Sequence, residues 1–289
     1  MASKSTKNFW GLKHGSLLAG YLASRPEKGR NAHVIVQMNT KTPKAWRDFF
    51  VDVKAPGIVR LFDAKHEAWV LVCPMATADQ ETDPKLRAKP WARIRDAMGP
   101  VIAQIEKADV ASAVVDLDID KALLPAAIAG LEIALYRFKR VLKSETPKFH
   151  MVLRHKGKVL TPAAVEPMTA LGQSVNVARH LVNLAPNDLN PVSYADFAHK
   201  FLSGVKGLKV DVWDEKRLRA ERMGLLLAVG RGAATPPRLV HVKYRGDGPR
   251  APVAIVGKGI TFDTGGVDIK PSAGMRLMKK DMGGSAAAL

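Results

Sequence analysis

The amino-acid sequence predicts an α/β protein built as two domains, and three observations carry that reading. Over residues 1–160, apolar β-rich runs alternate with segments of helical periodicity, the pattern of strands joined by crossover helices. A proline-bounded helical stretch follows over residues 161–191, long enough to bridge two domains. The alternation then resumes over residues 192–289 and runs into a glycine-rich segment in which lysines and aspartates recur among the glycines.

In the first domain the runs Ala32–Met38, Trp69–Cys73 and Val110–Leu117 read as strands. Trp91–Lys107 places Ile94, Met98, Ile102 and Ile105 on one face and polar residues opposite, which predicts a helix that Pro100 kinks or divides. Leu123–Val141 repeats the spacing, with Pro125 suited to a first turn. The bridge is predicted to be helical over Pro167–Leu184, with Leu171, Val175, Ala178 and Val182 on its apolar side, and to be ended by Pro186 and Pro191. In the second domain Ser193 is the expected N-cap of a helix over Tyr194–Leu202. A strand at Leu208–Trp213, a charged helix after Asp214 and a strand at Arg238–Tyr244 follow. Gly246-Asp247-Gly248-Pro249 then turns the chain.

A chain of 289 residues, 47% hydrophobic and 25% charged, can bury a substantial core. Its single cysteine, Cys73, sits in an apolar run and reads as a buried small hydrophobe; no internal disulfide is available, which favours a cytoplasmic setting. The start, MASKSTKNFWGLKHG, lacks the apolar core of a signal peptide, and no run approaches a membrane span, so no membrane role is expected. The net charge of +18 raises nucleic acid as a partner. Its modest clusters at Lys85–Arg95, Arg137–Lys148 and Lys216–Arg222 lack the aromatic interleaving of a reader module, so a solvated basic surface is the preferred reading. The histidines lack metal-ligand spacing: His150 and His155 are five apart and no HExxH occurs. There is no GxSxG nucleophile elbow, and Gly257-Lys258-Gly259 lacks the spacing of a phosphate-binding loop.

The segment Val256–Gly284, VGKGITFDTGGVDIKPSAGMRLMKKDMGG, holds the chemistry. The β-branched run Val253–Val256 reads as a strand buried on both faces, delivering Lys258 to the carboxyl edge of a sheet, where open α/β sheets place ligands. Its flanking glycines would let backbone approach a small bound species. Asp263 precedes Thr264-Gly265-Gly266 and Asp281 precedes Met282-Gly283-Gly284, turns able to take unusual dihedrals and aim a carboxylate inward. Two carboxylates without cysteine or histidine suit Mg²⁺, Mn²⁺ or Zn²⁺. A lysine with a depressed pKa could add a neutral amine, and a second, charged lysine could polarise a carbonyl. On residue chemistry alone, surface lysines and turn aspartates explain the pattern as well.

The segment resembles the metal-binding stretch of the leucyl aminopeptidase family (cytosol aminopeptidase, peptidase family M17), matching every fixed position of GKGxTFDxGGxxxKPxxxMxxMKxDMGG. Ala178–Pro191 (ARHLVNLAPNDLNP) is similar to the family's linker, Leu225–Gly246 to its first catalytic-domain strands, and Tyr136-Arg137-Phe138 to the close of its amino-terminal domain. The resemblance implies a macro-like α/β domain over residues 1–160, a linker helix over 161–191, and the first part of a metallo-exopeptidase catalytic domain over 192–289. It also implies that Lys258, Asp263 and Asp281 are metal ligands, that Lys270 is catalytic, and that Met278, with Lys258, Asp263 and Lys270, contacts substrate. Two divalent ions, Mn²⁺ or Zn²⁺, peptide substrates cleaved at an amino-terminal leucine or other apolar residue, and a homohexamer of the full-length protein come with it. The family's second motif, NTDAEGR, which supplies an aspartate, a glutamate and an arginine, does not occur in residues 1–289. A truncated chain, itself inert and poorly soluble, is therefore expected. The rival reading is a non-catalytic fragment or decayed relative with a basic, nucleic-acid-binding surface.

Overall fold

The computed structural model describes residues 16–25, 31–37, 59–63, 68–74, 90–138, 149–246 and 251–289. They fall into two compact units, one within Lys13–Asn176 and the other within Val177–Leu289.

The first unit is a six-stranded mixed sheet with helices. Its strands are β1 (Asn31–Gln37), β2 (Val59–Asp63), β3 (Ala68–Pro74), β4 (Ser112–Asp118), β5 (His150–His155) and β6 (Lys158–Val159), in the spatial order β2-β3-β1-β4-β5-β6. The central four, β3, β1, β4 and β5, are parallel, and each edge carries one antiparallel strand. The three expected strands are thus present as β1, β3 and β4. The side chain of Cys73 and the stretches 75–89 and 139–148 lie outside the described residues. Central position explains the composition of β4: Ala113, Val114, Val115 and Leu117 are buried, which a parallel strand covered on both faces requires.

Helix α1 (Pro90–Ala108) buries Ile94, Met98, Val101, Ile102 and Ile105 on one stripe. Pro100 does not divide it. The proline is exposed, so the backbone hydrogen bond it forfeits lies on the solvent side, where water serves the freed carbonyl. Helix α2 (Leu124–Ala134) starts as expected with Pro125 in its first turn but stops before the predicted Val141. The Arg137 guanidinium, ion-paired with Glu106, donates to the carbonyls of Ala134 (2.6 Å) and Tyr136 (2.9 Å) and so satisfies groups at the helix end. Glycine sets how near α1 and α2 come: a Cβ on Gly130 would stand 2.3 Å from the Arg95 carbonyl oxygen and 2.8 Å from Met98 Cγ. Glu132, buried on α2, accepts from the Leu17 and Leu18 amides (2.8 and 2.9 Å) and the Ser16 hydroxyl (2.8 Å), fastening residues 16–18 to the core.

Helix α3 (Pro162–Asn183) begins five residues before the predicted start and runs through Pro167, which faces solvent. The expected apolar side is misplaced, since Leu171 is exposed. The buried positions include Val165, Thr169, Gly172, Asn176 and His180. Polar residues are tolerated there because they are bonded; Asn176 Nδ2 donates to the Glu132 carbonyl at 2.9 Å, and Gly172 lets the helix lie against the Glu132 side chain.

In the second unit, α4 (Pro191–Leu202) is capped by Asn190, whose side chain accepts from the Val192 and Ser193 amides, with Pro191 at the first helical position. Ser193 is the reciprocal partner of a capping box and not the cap itself, and Pro191 opens this helix. Strands β7 (Leu208–Trp213) and β8 (Leu239–Tyr244) form an antiparallel pair, and Asp214 caps α5 (Glu215–Ala220). Leu225–Gly230, expected among strands, lies in helix α6 (Gly224–Gly230). The turn at 247–250 is outside the described residues. Val253–Val256 is not a buried strand: no described strand pairs with it, and Val253, Ile255 and Val256 are 87%, 77% and 93% exposed.

Gly130→Ala is expected to destabilise the first unit by about 1–3 kcal/mol, because the methyl meets backbone that cannot yield. Gly99→Ala, also in α1 but with open space around its Cβ position, should stabilise it by up to about 1 kcal/mol. Urea denaturation of both variants, read as midpoint shifts at constant slope, checks the pair.

Candidate metal centre

The chain after Val256 folds back on itself through glycine contacts. Two short helices, α7 (Ser272–Met275) and α8 (Gly283–Ala288), are joined by a 3-10 turn over Met278–Lys280. The first turn of α8 lies directly on Gly257 and Lys258: the Ser285 amide donates to the Lys258 carbonyl at 2.8 Å. A Cβ on Gly257 would be 2.5 Å from both the Gly284 carbonyl oxygen and Ser285 Cα. The glycine expected to admit a bound species therefore admits the protein's own helix.

That fold-back assembles two ion pairs. Lys258 Nζ lies 2.9 Å from Asp281 Oδ2, and Lys270 Nζ donates to Asp263 Oδ2 at 2.7 Å. Asp263 Oδ1 accepts from the Gly265 amide at 2.8 Å, and the Lys270 amide donates to the Thr264 carbonyl at 2.9 Å. This tight loop needs left-handed backbone, with φ of 95° at Gly265 and 81° at Gly266, as the glycine pair led one to expect. Lys258 also lies close enough to Asp263 for each charge to be felt by the other. The four charged residues singled out in the sequence are thus one electrostatic cluster. Met278 is half-buried in the 3-10 turn that precedes Asp281.

The hydrogen bond from Lys270, then that from the Gly265 amide, holds the Asp263 carboxyl below its ordinary range. The Asp281 carboxylate raises the Lys258 ammonium above the ordinary lysine range. This corrects the expectation of a depressed lysine: Lys258 is largely exposed and sits against an anion, so neither burial nor a neighbouring cation strips its proton. Among the described residues no three His, Cys, Asp or Glu side chains cluster as a metal site. His155 instead hydrogen-bonds the Ile119 carbonyl (3.0 Å), the bland role expected of it.

Sequence reasoning missed two supporting residues. Ser285 Oγ lies 2.7 Å from the Met282 carbonyl oxygen and 3.1 Å from Tyr194 Oη, a phenol on α4 whose pKa burial pushes up. A tyrosine early in a distant helix leaves no local spacing signal that links it to position 285.

Lysines and aspartates thus converge on glycine-rich turns at the end of an α/β chain. Residues 176–289 match the catalytic domain of the cytosol aminopeptidase family. It is 50% identical over 119 residues to the probable cytosol aminopeptidase of Rhodopirellula baltica, covering 41% of this chain and 23% of that protein. It is 37% identical over 204 residues to the protein of the same description from Micrococcus luteus, covering 67% of this chain and 39% of the relative. Among solved structures, a bottromycin maturation enzyme, BotP, in complex with Mn superposes with a TM-score of 0.70 at 27% identity, over 89% of this chain and 54% of that one. The cytosol aminopeptidase of Coxiella burnetii, at 22% identity and a TM-score of 0.66, shares the fold over 93% of this chain and 55% of its own. The chain thus spans well under half of these curated relatives and about half of the solved ones.

The Asp263 carboxylate contributes stability that is present above its ordinary pKa and lost as pH falls through its lowered one. Lys258 contributes below the ordinary lysine pKa and loses its contribution as pH rises through the raised value. A carbon-detected NMR titration should find the Asp263 midpoint below that of a solvated aspartate, and Lys270→Met should move it upward.

Proposed function

We propose that this chain supplies the first part of a two-metal aminopeptidase centre that removes amino-terminal residues, with leucine or another apolar residue preferred. The observation that carries the reading is the gathering of Lys258, Asp263, Lys270 and Asp281 into one cluster. The residues fit a divalent cation on a further detail. Asp281 Oδ2 is shut off from water, and its one described partner is the Lys258 ammonium at 2.9 Å. An enclosed anionic oxygen short of donors is what a cation satisfies.

In this reading Asp263, Asp281 and, once neutral, the Lys258 amine hold Mn²⁺ or Zn²⁺. The remaining carboxylate ligands and the arginine partner come from outside residues 1–289. Bound there, the ions supply Lewis-acid polarisation of the scissile carbonyl. Lys270 keeps its proton and, released from Asp263, stabilises negative charge on the carbonyl oxygen. Met278 offers apolar surface to the first side chain. Lys258, Asp263 and Lys270 contact the substrate's amine and carbonyl end. Peptides with free amino termini, a homohexamer of the complete protein and a cytoplasmic setting belong to the same proposal. It is supported by the family match and by the relatives' description as cytosol aminopeptidases. Among the described residues no helix is long and apolar enough to cross a membrane. The nucleic-acid alternative loses ground at Lys216–Arg222, where Arg217 pairs with Glu221 and Arg219 with Glu215, so the cluster is partly neutralised within its own helix.

Protein carrying the complete ligand set is expected to hydrolyse a leucine chromogenic amide on addition of Mn²⁺; inactivity with every divalent ion tried would remove the proposal. In that protein Lys270→Ala should lower kcat by about 10²–10³ with most metal binding kept, as for loss of one oxyanion donor. Asp263→Ala should lose metal, and calorimetry beside steady-state kinetics separates the two roles.

A further inference from the structure

We propose that Tyr194 and Ser285 are positioning residues that set the spacing of Lys258 and Asp281, and thereby the affinity of the metal site; this rests on the reading of those two residues as ligands.

The argument begins with proton inventory. Ser285 Oγ has one proton and two neighbours, the Met282 carbonyl oxygen at 2.7 Å and Tyr194 Oη at 3.1 Å. A carbonyl can only accept, so the serine proton goes to Met282. The remaining contact is then made by the Tyr194 hydroxyl donating to Ser285 Oγ. Burial pushes the Tyr194 phenol up, so its hydroxyl keeps a proton to donate. The result is a directed chain, Tyr194 O–H to Ser285 O–H to the Met282 carbonyl, running from α4 into the first turn of α8.

That turn is fixed by the buried Met282 side chain and by its contact with Gly257 and Lys258, but it has little helix of its own behind it. Helix α8 has only six residues, and Met282 at its cap makes no side-chain capping hydrogen bond. A helix of that length does not hold its own geometry in water. Apart from their own ion pair, the backbone link between Lys258 and Asp281 passes through it. Asp281 immediately precedes the Met282 cap, and the Ser285 amide grips the Lys258 carbonyl at 2.8 Å. The glycine contacts between Gly257 and residues 284–285 leave no slack: a rotation of the turn moves the Lys258 backbone with it. Ser285 thus joins the lysine through its amide and the tyrosine through its hydroxyl. Tyr194 is in turn held by α4: it follows Ser193 of the Asn190 capping box, and its amide donates to the Asn190 carbonyl at 2.9 Å. Neither Tyr194 nor Ser285 is placed among the ligands, so each acts through Lys258 and Asp281.

The test uses protein carrying the complete ligand set, with Mn²⁺ as the probe. Tyr194→Phe removes only the hydroxyl, Ser285→Ala removes the relay oxygen, and Ser285→Thr retains it. Mn²⁺ affinity by calorimetry should fall by about tenfold or more in Tyr194→Phe and Ser285→Ala, as for loss of groups that orient ligands. The double variant should be no worse than the poorer single, and Ser285→Thr should retain affinity. The metal-free variants should keep the wild-type melting temperature within a few degrees. Unchanged affinity in both single variants, or an affinity loss matched by general loss of folding, would overturn the proposal. If the unaltered protein binds no Mn²⁺, the ligand reading fails separately. Amide exchange at Ser285 in metal-free protein then decides the positioning: faster exchange in Tyr194→Phe upholds it, and unchanged exchange ends it.

Discussion

The hydrogen bond from the Ser285 amide to the Lys258 carbonyl is the constraint on which the charged cluster depends. It joins residues far apart in the chain at a point where both strands of backbone are glycine-flanked, and only glycine permits the approach. Without it, Lys258 and Asp281 would belong to two unrelated loops. With it, the intervening residues close into a loop that carries Asp263 and Lys270 across its middle, where Gly265 and Gly266 in left-handed conformation tighten the bend.

The electrostatics follow from that closure. Two lysines and two aspartates brought together would be costly if like charges faced each other, but each ammonium meets a carboxylate. Exposure differs within each pair: Lys258 is largely in water while Asp281 is mostly enclosed, and Lys270 and Asp263 are equally half-buried. The enclosed oxygen of Asp281 has the Lys258 ammonium, 2.9 Å away, as its described partner.

Much of this was legible in the sequence. Strands β1, β3, β4, β7 and β8 follow from β-branched composition, and β7 has the expected bounds at Leu208–Trp213. The four charged residues of the cluster stood out by their recurrence among glycines, but only the family resemblance separated them from surface lysines and turn aspartates. The failures have local physical causes. Proline was read as kinking or dividing a helix at position 100, as the start of one at 167 and as a terminator at 191, yet the first two lie inside helices facing solvent and the third occupies a position where no amide is needed. The buried side of α3 was misread because apolar character was taken as the sign of burial, whereas Thr169, Gly172 and Asn176 are buried by bonding and close approach. Val253–Val256 has strand composition without a described partner strand, and pairing is a property of two segments that one segment's composition does not record. The link from Tyr194 to Ser285 is tertiary and carries no periodic signal.

The turn at Gly265 has a consequence for how Asp263 can bind anything. Its amide already occupies Oδ1, so the carboxylate presents itself to cations through Oδ2, the oxygen Lys270 holds. A cation bound there would find one lone pair of Oδ1 already taken by backbone and Oδ2 shared with the Lys270 ammonium. Any cation that takes Oδ2 must also evict the ammonium, so binding at this residue is an exchange of one positive charge for another. The freed lysine remains tethered by its amide to the Thr264 carbonyl, so the evicted charge stays within reach of whatever displaced it.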